Sequence, residues 1–310
     1  MAISASMVKE LREKTGAGMM DCKKALTNTD GDMDKAVDYL RENGLAKAEK
    51  KAGRIAAEGI VKTNISADGT SAAIVEVNSE TDFVAKNEKF QEFVGAVASQ
   101  ANTSAAADVD AFLEEAWAAE PSKTVKEELA SMIATIGENM NIRRFEKVSC
   151  DNGLVVDYIH AGGKIGVLIA AETDNKGDEV VECLKNVAMQ VAAMNPKYLS
   201  SSDVSEEYKE KEKEVLLAQA KNDPANASKP DDIIEKMIMG RLNKELKEVC
   251  LNEQIYVKAE NKESVAKYVE AVGKAAGCSI KLTKFVRFET GEGLEKKNED
   301  FAAEVAAQLG

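Results

Sequence analysis

A predicted strand meets a predicted helix at Asn78–Asn87, whose sequence is NSETDFVAKN. Before it, Ala73–Val77 is a largely apolar run typical of a strand. After it, apolar residues recur at helical spacing, at positions 90, 93, 94, 97 and 101. Such corners are normally polar, yet the aromatic Phe83 directly follows the acid Asp82. One explanation is local: Thr81 or Asp82 caps the helix, and Phe83 folds back as a hydrophobic staple. The alternative is a functional contact.

Composition restricts the class of partner. The chain has 310 residues, which suggests one large domain or two to three small ones. It carries 41 basic and 54 acidic residues, for a net charge of −13. Because an acidic surface repels phosphate backbones, we expect no direct binding to nucleic acid and a protein partner instead.

Cysteine usage and hydropathy predict a cytoplasmic protein. The five cysteines are widely separated and show no CxxC spacing, as expected of reduced thiols in a reducing compartment. The N-terminus lacks a charged segment followed by an apolar core, which is the pattern of a secretory signal. No apolar run approaches the roughly 20 residues needed to cross a bilayer, so we expect no membrane contact.

The sequence contains none of the common catalytic or metal-binding motifs. There is no GxxxxGKS or GxxxxGKT loop to hold a nucleotide, and no GxSxG, HExxH or Cys/His cluster. His160 is the only histidine, which excludes a multi-histidine metal site. We therefore expect no cofactor and no enzymatic chemistry. His160 ends a predicted strand beside a Gly-Gly turn, where it is either an exposed loop residue or a polar contact to a protein partner.

Residues 1–54 predict a small N-terminal domain of three short helices followed by a basic helical linker. Met19 and Met20 are adjacent, so on a helix they point about 100° apart and cannot both enter so small a core. Either one packs and the other is exposed, or they provide an adaptable apolar contact for a partner. Within each helix the apolar residues share one face: Val8 and Leu11 in the first, Cys22, Ala25 and Leu26 in the second, and Ala36, Val37 and Leu40 in the third.

The next part of the chain shows one order of elements twice. Strands predicted at 60–65, 73–77 and 141–148 form one set within residues 55–150, and strands predicted at 154–160, 165–171 and 280–288 form another within 151–196 and 250–288. We interpret each set, with its helices, as a β-β-α-α-β unit. Glu172–Asp174 repeats the order of Glu80–Asp82, but Asn175 takes the place of Phe83. If the two units share a fold, that fold does not require Phe83.

Residues 197–249 interrupt the second unit and predict a protruding antiparallel helical hairpin, or coiled coil. Apolar positions 204, 208, 215 and 218 can face positions 234, 238, 242, 246 and 249. The charged run Glu206–Glu214 is a solvated face, or else a surface for a partner or for self-association. Residues 289–310 predict a C-terminal helix module, with Phe301, Val305 and Leu309 in one stripe. The predicted fold class is therefore α+β.

Several stretches match one family in the same order along the chain. They are the TDFV sequence at 81–84, Val8–Leu26, Ile136–Arg144, His160 before Ile165–Leu168, Asn195-Pro196, Arg287-Phe288 and Phe301–Ala306. Together they resemble bacterial elongation factor Ts, the nucleotide exchange factor for elongation factor Tu. The resemblance implies a ubiquitin-associated-like N-terminal domain, a core of two similar subdomains, a hairpin and a C-terminal helix. It also implies that the chain speeds GDP release from its partner without covalent chemistry of its own.

The resemblance further implies roles for particular residues. Asp82 and Phe83 would enter elongation factor Tu near its Mg²⁺ and nucleotide, with Phe83 wedged between partner helices. The N-terminal domain and the tail helix would grip the partner's nucleotide-binding domain. After Val257 this sequence departs from relatives that have a second apolar residue there. The residues concerned are Thr81, Asp82, Phe83 and Val84 for Mg²⁺ dislocation, and Arg12, Met19, Met20, Lys23, Ile136, Gly137, His160 and Val257 for partner binding.

A competing hypothesis assigns the function to the hairpin. An acidic scaffold or chaperone-like interaction protein would act through residues 197–249 and would not depend on Phe83. The two hypotheses therefore differ in the segment whose removal abolishes activity.

Overall fold

The computed structural model describes residues 3–223, 226 and 229–295, which form helices and two antiparallel sheets. The α+β fold class predicted from the sequence is confirmed. The helix predicted at 297–309, with Phe301, Val305 and Leu309, lies outside the described residues. Within those residues, no helix combines the length and the apolar character needed to span a membrane.

Three helices form the N-terminal part: α1 (Ala5–Thr15), α2 (Met19–Asn28) and α3 (Met33–Lys51). Side chains cap two of them, because Ser4 accepts the N–H of Met7 and Asp32 accepts the N–H of Lys35. The predicted basic linker is the second half of α3 rather than a separate segment, and it packs against the core. The small interior contains the predicted apolar faces: Val8, Leu11, Cys22, Ala25, Leu26 and Ala36.

The first sheet contains β1 (Glu58–Ile65), β2 (Ser71–Ser79) and β3 (Met140–Ser149), antiparallel and in that order. Between β2 and β3 the chain forms α4 (Asp82–Ala85), α5 (Glu88–Thr103), α6 (Val109–Leu113) and α7 (Val125–Ile136). The strand and helix predicted on either side of the corner are therefore confirmed. Helix α5 covers one face of the sheet and buries the apolar residues predicted for it: Phe90, Phe93, Val94, Val97 and Ala101.

The second sheet contains β4 (Gly153–His160), β5 (Ile165–Glu172) and β6 (Lys281–Glu289), again antiparallel and in chain order. Between β5 and β6 lie α8 (Asp178–Met194), α9 (Glu206–Asn222), α10 (Asp231–Val249) and α11 (Val265–Ala275). Both middle strands shift register near their C-terminal ends, β2 between Glu76 and Val77, and β5 between Ala170 and Ala171. The two sheets thus agree in strand order and in this irregularity.

The two sheets pack face to face, with α5 and α7 outside the first and α8 and α11 outside the second. Strand β2 is covered on both faces, which explains why its residues are buried without alternation. Gly163 permits one close approach between the sheets. It has a φ of 101°, and a Cβ there would lie 2.9 Å from the Cβ of Ile60. The interior between the sheets includes Val61, Ile74, Val155, Leu168 and Phe288.

Helices α9 and α10 form the predicted antiparallel hairpin around an apolar cluster of their own. Its two ends meet where the N–H of Lys197 donates to the carbonyl of Val249 at 2.8 Å. On α10, the predicted face at 234, 238, 242 and 246 is confirmed. On α9, the predicted contacts at Val215 and Ala218 are wrong, since both are exposed while Leu216 and Ala220 are buried. Residues 215–218 are all apolar, so spacing alone does not select the buried face.

Candidate functional site

The corner at Asn78–Asn87 exposes its aromatic residue. Thr81 is the N-cap of α4, and its hydroxyl accepts the N–H of Val84 at 3.4 Å. The predicted cap is therefore only partly right, because the longer helix α5 that it was predicted for is capped by Asn87. Val84 and Ala85 are buried in the core beneath. Phe83 is 80 % exposed. The hydrophobic-staple explanation is therefore wrong, because a staple would bury the ring.

Asp82 places a carboxylate beside the exposed ring. Lys86 Nζ donates to its Oδ2 at 2.6 Å. This hydrogen bond lowers the pKa of Asp82 below its ordinary value, and the charges of Lys86 and Lys164 act in the same direction. The carboxylate is about half exposed, so solvent screens its pairing with Lys86 and another partner can replace that lysine. The corner thus presents an apolar ring and a negative charge side by side.

Side chains from the loop before β3 hold the corner in place. Thr81 donates its N–H to Glu138 Oε2 at 3.0 Å and its hydroxyl to Glu138 Oε1 at 2.7 Å. In return, the N–H of Asn139 donates to Glu80 Oε1 at 2.5 Å. The backbone ladder between β2 and β3 ends just before these residues, so the two carboxylates extend the connection beyond it. We call Glu80, Thr81, Glu138 and Asn139 the clasp.

Two predicted contact residues, Ile136 and Gly137, lie next to the clasp. Ile136 is the last residue of α7 and is partly buried. Gly137 ends the helix with a φ of 95°, a left-handed conformation that suits glycine, and the chain passes directly into Glu138. The structure therefore brings Ile136 and Gly137 together with Thr81–Val84 at one end of the first sheet.

His160 lies at the same end of the molecule. It is exposed at the end of β4, and its Nδ1 is 2.9 Å from the hydroxyl of Tyr158. The turn after it reaches β1, because Lys164 forms an ion pair with Glu58, which is opposite Ser79 in the sheet. The exposure of His160 is compatible with a contact to a partner, and that contact stays a prediction.

The predicted contact residues of the N-terminal helices form a separate surface, which we call the N-terminal patch: Arg12, Met19, Met20 and Lys23. All four are exposed. Met19 is 59 % and Met20 74 % exposed, so the explanation in which one of them packs is wrong. Both belong to the first turn of α2, whose buried face begins at Cys22. Among the described residues, no hydrogen bond or ion pair joins this patch to the corner.

Val257 lies in the loop before α11 and is half exposed. Its N–H donates to Gln190 Oε1 at 2.9 Å, which fixes the backbone there. Ile255 is 57 % exposed and was not predicted as a contact residue. Tyr256 between them is buried and stacks on Tyr268, with 4.1 Å between ring centroids. The sequence signal that could have identified Ile255 and Val257 as exposed residues is their position on either side of Tyr256, since successive residues of an extended segment point to opposite sides.

Glu80, Glu138 and Asn139 are further candidates that sequence reasoning did not single out. Acids and amides are common in loops, so their residue types alone indicate only solvated positions. Their role depends on two loops that are distant in sequence and meet in space. No group of three or more His, Cys, Asp or Glu is arranged to hold a metal in the part of the chain that the structure describes. The corner combines an exposed aromatic ring, a half-exposed carboxylate and an anchor to the loop before β3.

Comparison with known proteins identifies the family. The family model described as Elongation factor TS matches residues 80–292, beginning within the corner. Elongation factor Ts of Clostridium novyi (strain NT) is 54 % identical over 307 residues, covering 99 % of this chain and 99 % of the relative. Elongation factor Ts of Trichlorobacter lovleyi is 51 % identical over 314 residues, covering 100 % of this chain and 99 % of the relative. The chain therefore belongs to the elongation factor Ts family.

Proposed function

We propose that this translation elongation factor is a guanine-nucleotide exchange factor for elongation factor Tu. It binds the GDP-loaded partner in the cytoplasm, disturbs the Mg²⁺ and nucleotide site, and releases GDP so that GTP can bind. The observation that carries the proposal is the 80 % exposure of Phe83 on a corner that is otherwise fixed to the core. A large exposed aromatic residue on a rigid support is suited to insertion into a partner.

The corner supplies the disturbing element. Phe83 inserts between partner helices, and the ionised Asp82 brings negative charge close to the site that holds Mg²⁺. Thr81 starts the one-turn helix that carries both residues. Val84 is buried, so it acts by anchoring the corner rather than by touching the partner. Because the chain forms and breaks no covalent bond, its contribution is differential binding alone.

Other surfaces have to contribute to the binding energy. To shift the partner between two states from a ratio of 1:99 to 99:1, this chain has to bind one state more tightly than the other by about 5.5 kcal/mol. Burying one Phe side chain supplies about 1.5–3 kcal/mol. Phe83 alone is therefore insufficient for a shift of that size. The other proposed contacts are the N-terminal patch, Ile136, Gly137, His160 and Val257. All of them are exposed except Ile136, which is partly buried.

The direct test is GDP release from purified elongation factor Tu. The partner is loaded with a fluorescent GDP and mixed in a stopped-flow instrument with excess unlabelled nucleotide, with and without this chain. We expect a saturable acceleration of release. A release rate that does not change at any concentration of the chain would contradict the proposal.

A scaffold or chaperone-like function through the hairpin is the second candidate. The observation that favours it is the separate apolar cluster of α9 and α10, whose surface also exposes Val215, Leu217, Ile233 and Met239. The hairpin ends meet at Lys197 and Val249, so residues 201–249 can be replaced by a short Gly-Ser linker. An exchange factor should keep much of its activity after this deletion, whereas a scaffold should lose it.

A further inference from the structure

We propose that Glu138 is a positioning residue for Asp82 and Phe83, holding α4 so that the ring and the carboxylate meet the partner in one orientation. The inference rests on the proposed exchange function and deepens it, because it assigns a role to a residue outside the predicted set of partner contacts. The role follows from the geometry of the clasp.

Helix α4 cannot orient Phe83 by itself. It has four residues, and so short a helix does not offset the free-energy cost of nucleation. Its own capping bond, from the N–H of Val84 to Thr81 Oγ1, is long at 3.4 Å. The exposed ring of Phe83 contributes little packing. The orientation of α4 must therefore come from outside the helix, from the buried Val84 and Ala85 on one side and from Glu138 on the other.

Glu138 anchors the start of α4 with both oxygens of one carboxylate. Its Oε2 accepts the N–H of Thr81 at 3.0 Å and its Oε1 accepts the hydroxyl at 2.7 Å. Hydrogen bonds to a carboxylate are stronger than those between neutral groups. Since one bond fixes the backbone of Thr81 and the other its side-chain rotamer, the direction of α4 is set. Glu138 also follows Gly137 directly, so its carboxylate links the corner to the predicted contact residues Ile136 and Gly137.

The second sheet shows a corner built without such a carboxylate. There Thr173 donates its N–H to the carbonyl of Asn152 at 3.1 Å, and its hydroxyl bonds locally to Asn175. In the loop between α11 and β6, Cys278 follows Gly277 as Glu138 follows Gly137. Of the two corners, only the first combines an exposed aromatic residue with an anchoring carboxylate. The pairing is expected if the carboxylate serves the aromatic residue.

The first experiment compares Glu138→Ala with Glu138→Gln in the full chain. We expect Glu138→Ala to lower the rate of fluorescent GDP release at saturating concentration about tenfold, because two charge-assisted hydrogen bonds are lost. The concentration for half-maximal release should change less than about threefold, because the docking surfaces are intact. Glu138→Gln keeps one acceptor and gains one donor toward Thr81, so it should restore most of the rate.

A matched control is Glu127→Ala, at the other end of α7. Glu127 forms a capping box with Thr124, accepting its N–H at 2.8 Å. Its removal should lower the melting temperature while leaving the release rate unchanged. If Glu127→Ala reduced release as much as Glu138→Ala, the effect would be one of general stability and the proposal would be overturned.

Two further measurements test whether Glu138 acts through Phe83. In a double-mutant cycle, Glu138→Ala should cause a smaller loss in the Phe83→Ala background than in the wild type, because only the part of its effect that acts through Asp82 is left. Phe83→Trp combined with Trp117→Phe gives a single-tryptophan reporter, since the chain has one tryptophan. Its fluorescence anisotropy in the isolated chain should fall when Glu138→Ala is added.

Additive losses in the cycle, or an unchanged anisotropy, would overturn the proposal. The anisotropy measurement needs no partner. If the wild-type chain failed to accelerate GDP release, the exchange function would be refuted, whereas the anisotropy would still decide whether Glu138 orients the side chain at position 83. The two failures are therefore distinguishable.

Discussion

The two strand-to-helix corners of this molecule begin alike and end differently. Each follows the middle strand of a three-stranded sheet and opens with Glu-Thr-Asp, at 80–82 and at 172–174. After Asp82 the first corner exposes Phe83 and forms the extra turn α4. After Asp174 the second corner turns at Asn175, whose Oδ1 accepts the N–H of Gly177 at 2.8 Å, and α8 starts at once.

The difference shows that the architecture needs a corner but not an exposed aromatic residue. At the second corner the Asn175 side chain also donates to the carbonyl of Ala276 at 3.3 Å, so its polar groups are used internally. At the first corner the polar side chains of the clasp face inward and the apolar ring of Phe83 faces solvent. This arrangement inverts the usual distribution, in which buried apolar surface stabilises the fold. An inverted position is expected where a partner supplies the missing cover.

The largest expected effect comes from removing the aromatic side chain that distinguishes the first corner from the second. Phe83→Ala should slow chain-dependent GDP release from elongation factor Tu about 10- to 100-fold, corresponding to the roughly 1.5–3 kcal/mol that a buried Phe contributes. Stopped-flow release of fluorescent GDP measures this. The free energy of unfolding in urea should change by less than about 0.5 kcal/mol, because the ring is exposed in the free chain.

Phe90→Ala is the control that removes the same side chain from a buried position. Phe90 is fully buried on α5, just after the corner, and its truncation should cost about 3–5 kcal/mol of unfolding free energy. The reverse exchange, Asn175→Phe, should not restore release in the Phe83→Ala background. Restored release there would mean that any exposed aromatic corner suffices, and the comparison between the corners would fail.

A smaller effect separates the two threonines. Thr81→Val removes a hydroxyl bonded to the Glu138 carboxylate and should lower the free energy of unfolding by about 1.5–3 kcal/mol. Thr173→Val removes only local bonds between neutral groups, worth about 0.5–1.5 kcal/mol. Urea unfolding ranks the two variants, and GDP release should decline only for Thr81→Val. The opposite ranking would show that Glu138 does not hold the corner.

The smallest expected effect is a pH dependence beneath the first corner. Glu76 is fully buried on β2, directly before the register shift of that strand. At the corresponding position, directly before the register shift of β5, the second sheet has the apolar Ala170. Burial raises the pKa of Glu76, but hydrogen bonds from the N–H of Gly291, from Asn78 and from Arg143 outweigh it, so the pKa lies below its ordinary value of 4.5. Ionised Glu76 therefore stabilises the fold above pH 4.5, and this contribution is lost as pH falls through the lowered pKa.

Urea unfolding of the wild type and of Glu76→Gln between about pH 3 and 6 tests this. The free energy of unfolding should rise more steeply with pH in the wild type, because its unfolded state binds more protons than its folded state in that range. Equal slopes for the two proteins would show that the buried carboxylate is not the source of the pH dependence.

Apolar periodicity predicted the buried face of a helix correctly where the pattern defined a single apolar face. The stripe from Phe90 to Ala101 and the positions 234, 238, 242 and 246 each define a single apolar face, and both are buried as expected. Residues 215–218 do not, because a continuous apolar run is compatible with several faces, and the burial of Leu216 depends on how α9 meets α10. The boundaries proposed between domains, and the partner contacts, stay predictions.

The sequence by itself determined the class of fold, the order of the strands, and the family, because apolar spacing and a series of short motifs are local properties of the chain. The predicted β-β-α-α-β order is incomplete for the first unit, because the short helices α4 and α6 also lie between β2 and β3. It also indicated that the second unit does without the aromatic residue. Only the tertiary structure decided that the two sheets cover each other's inner faces, that both methionines of the N-terminal patch are exposed, and that Glu138 reaches Thr81. Spacing shows which face of an element is apolar, but not which distant element covers it. A hydrogen bond between loops 57 positions apart is likewise set by how the sheet brings its ends together.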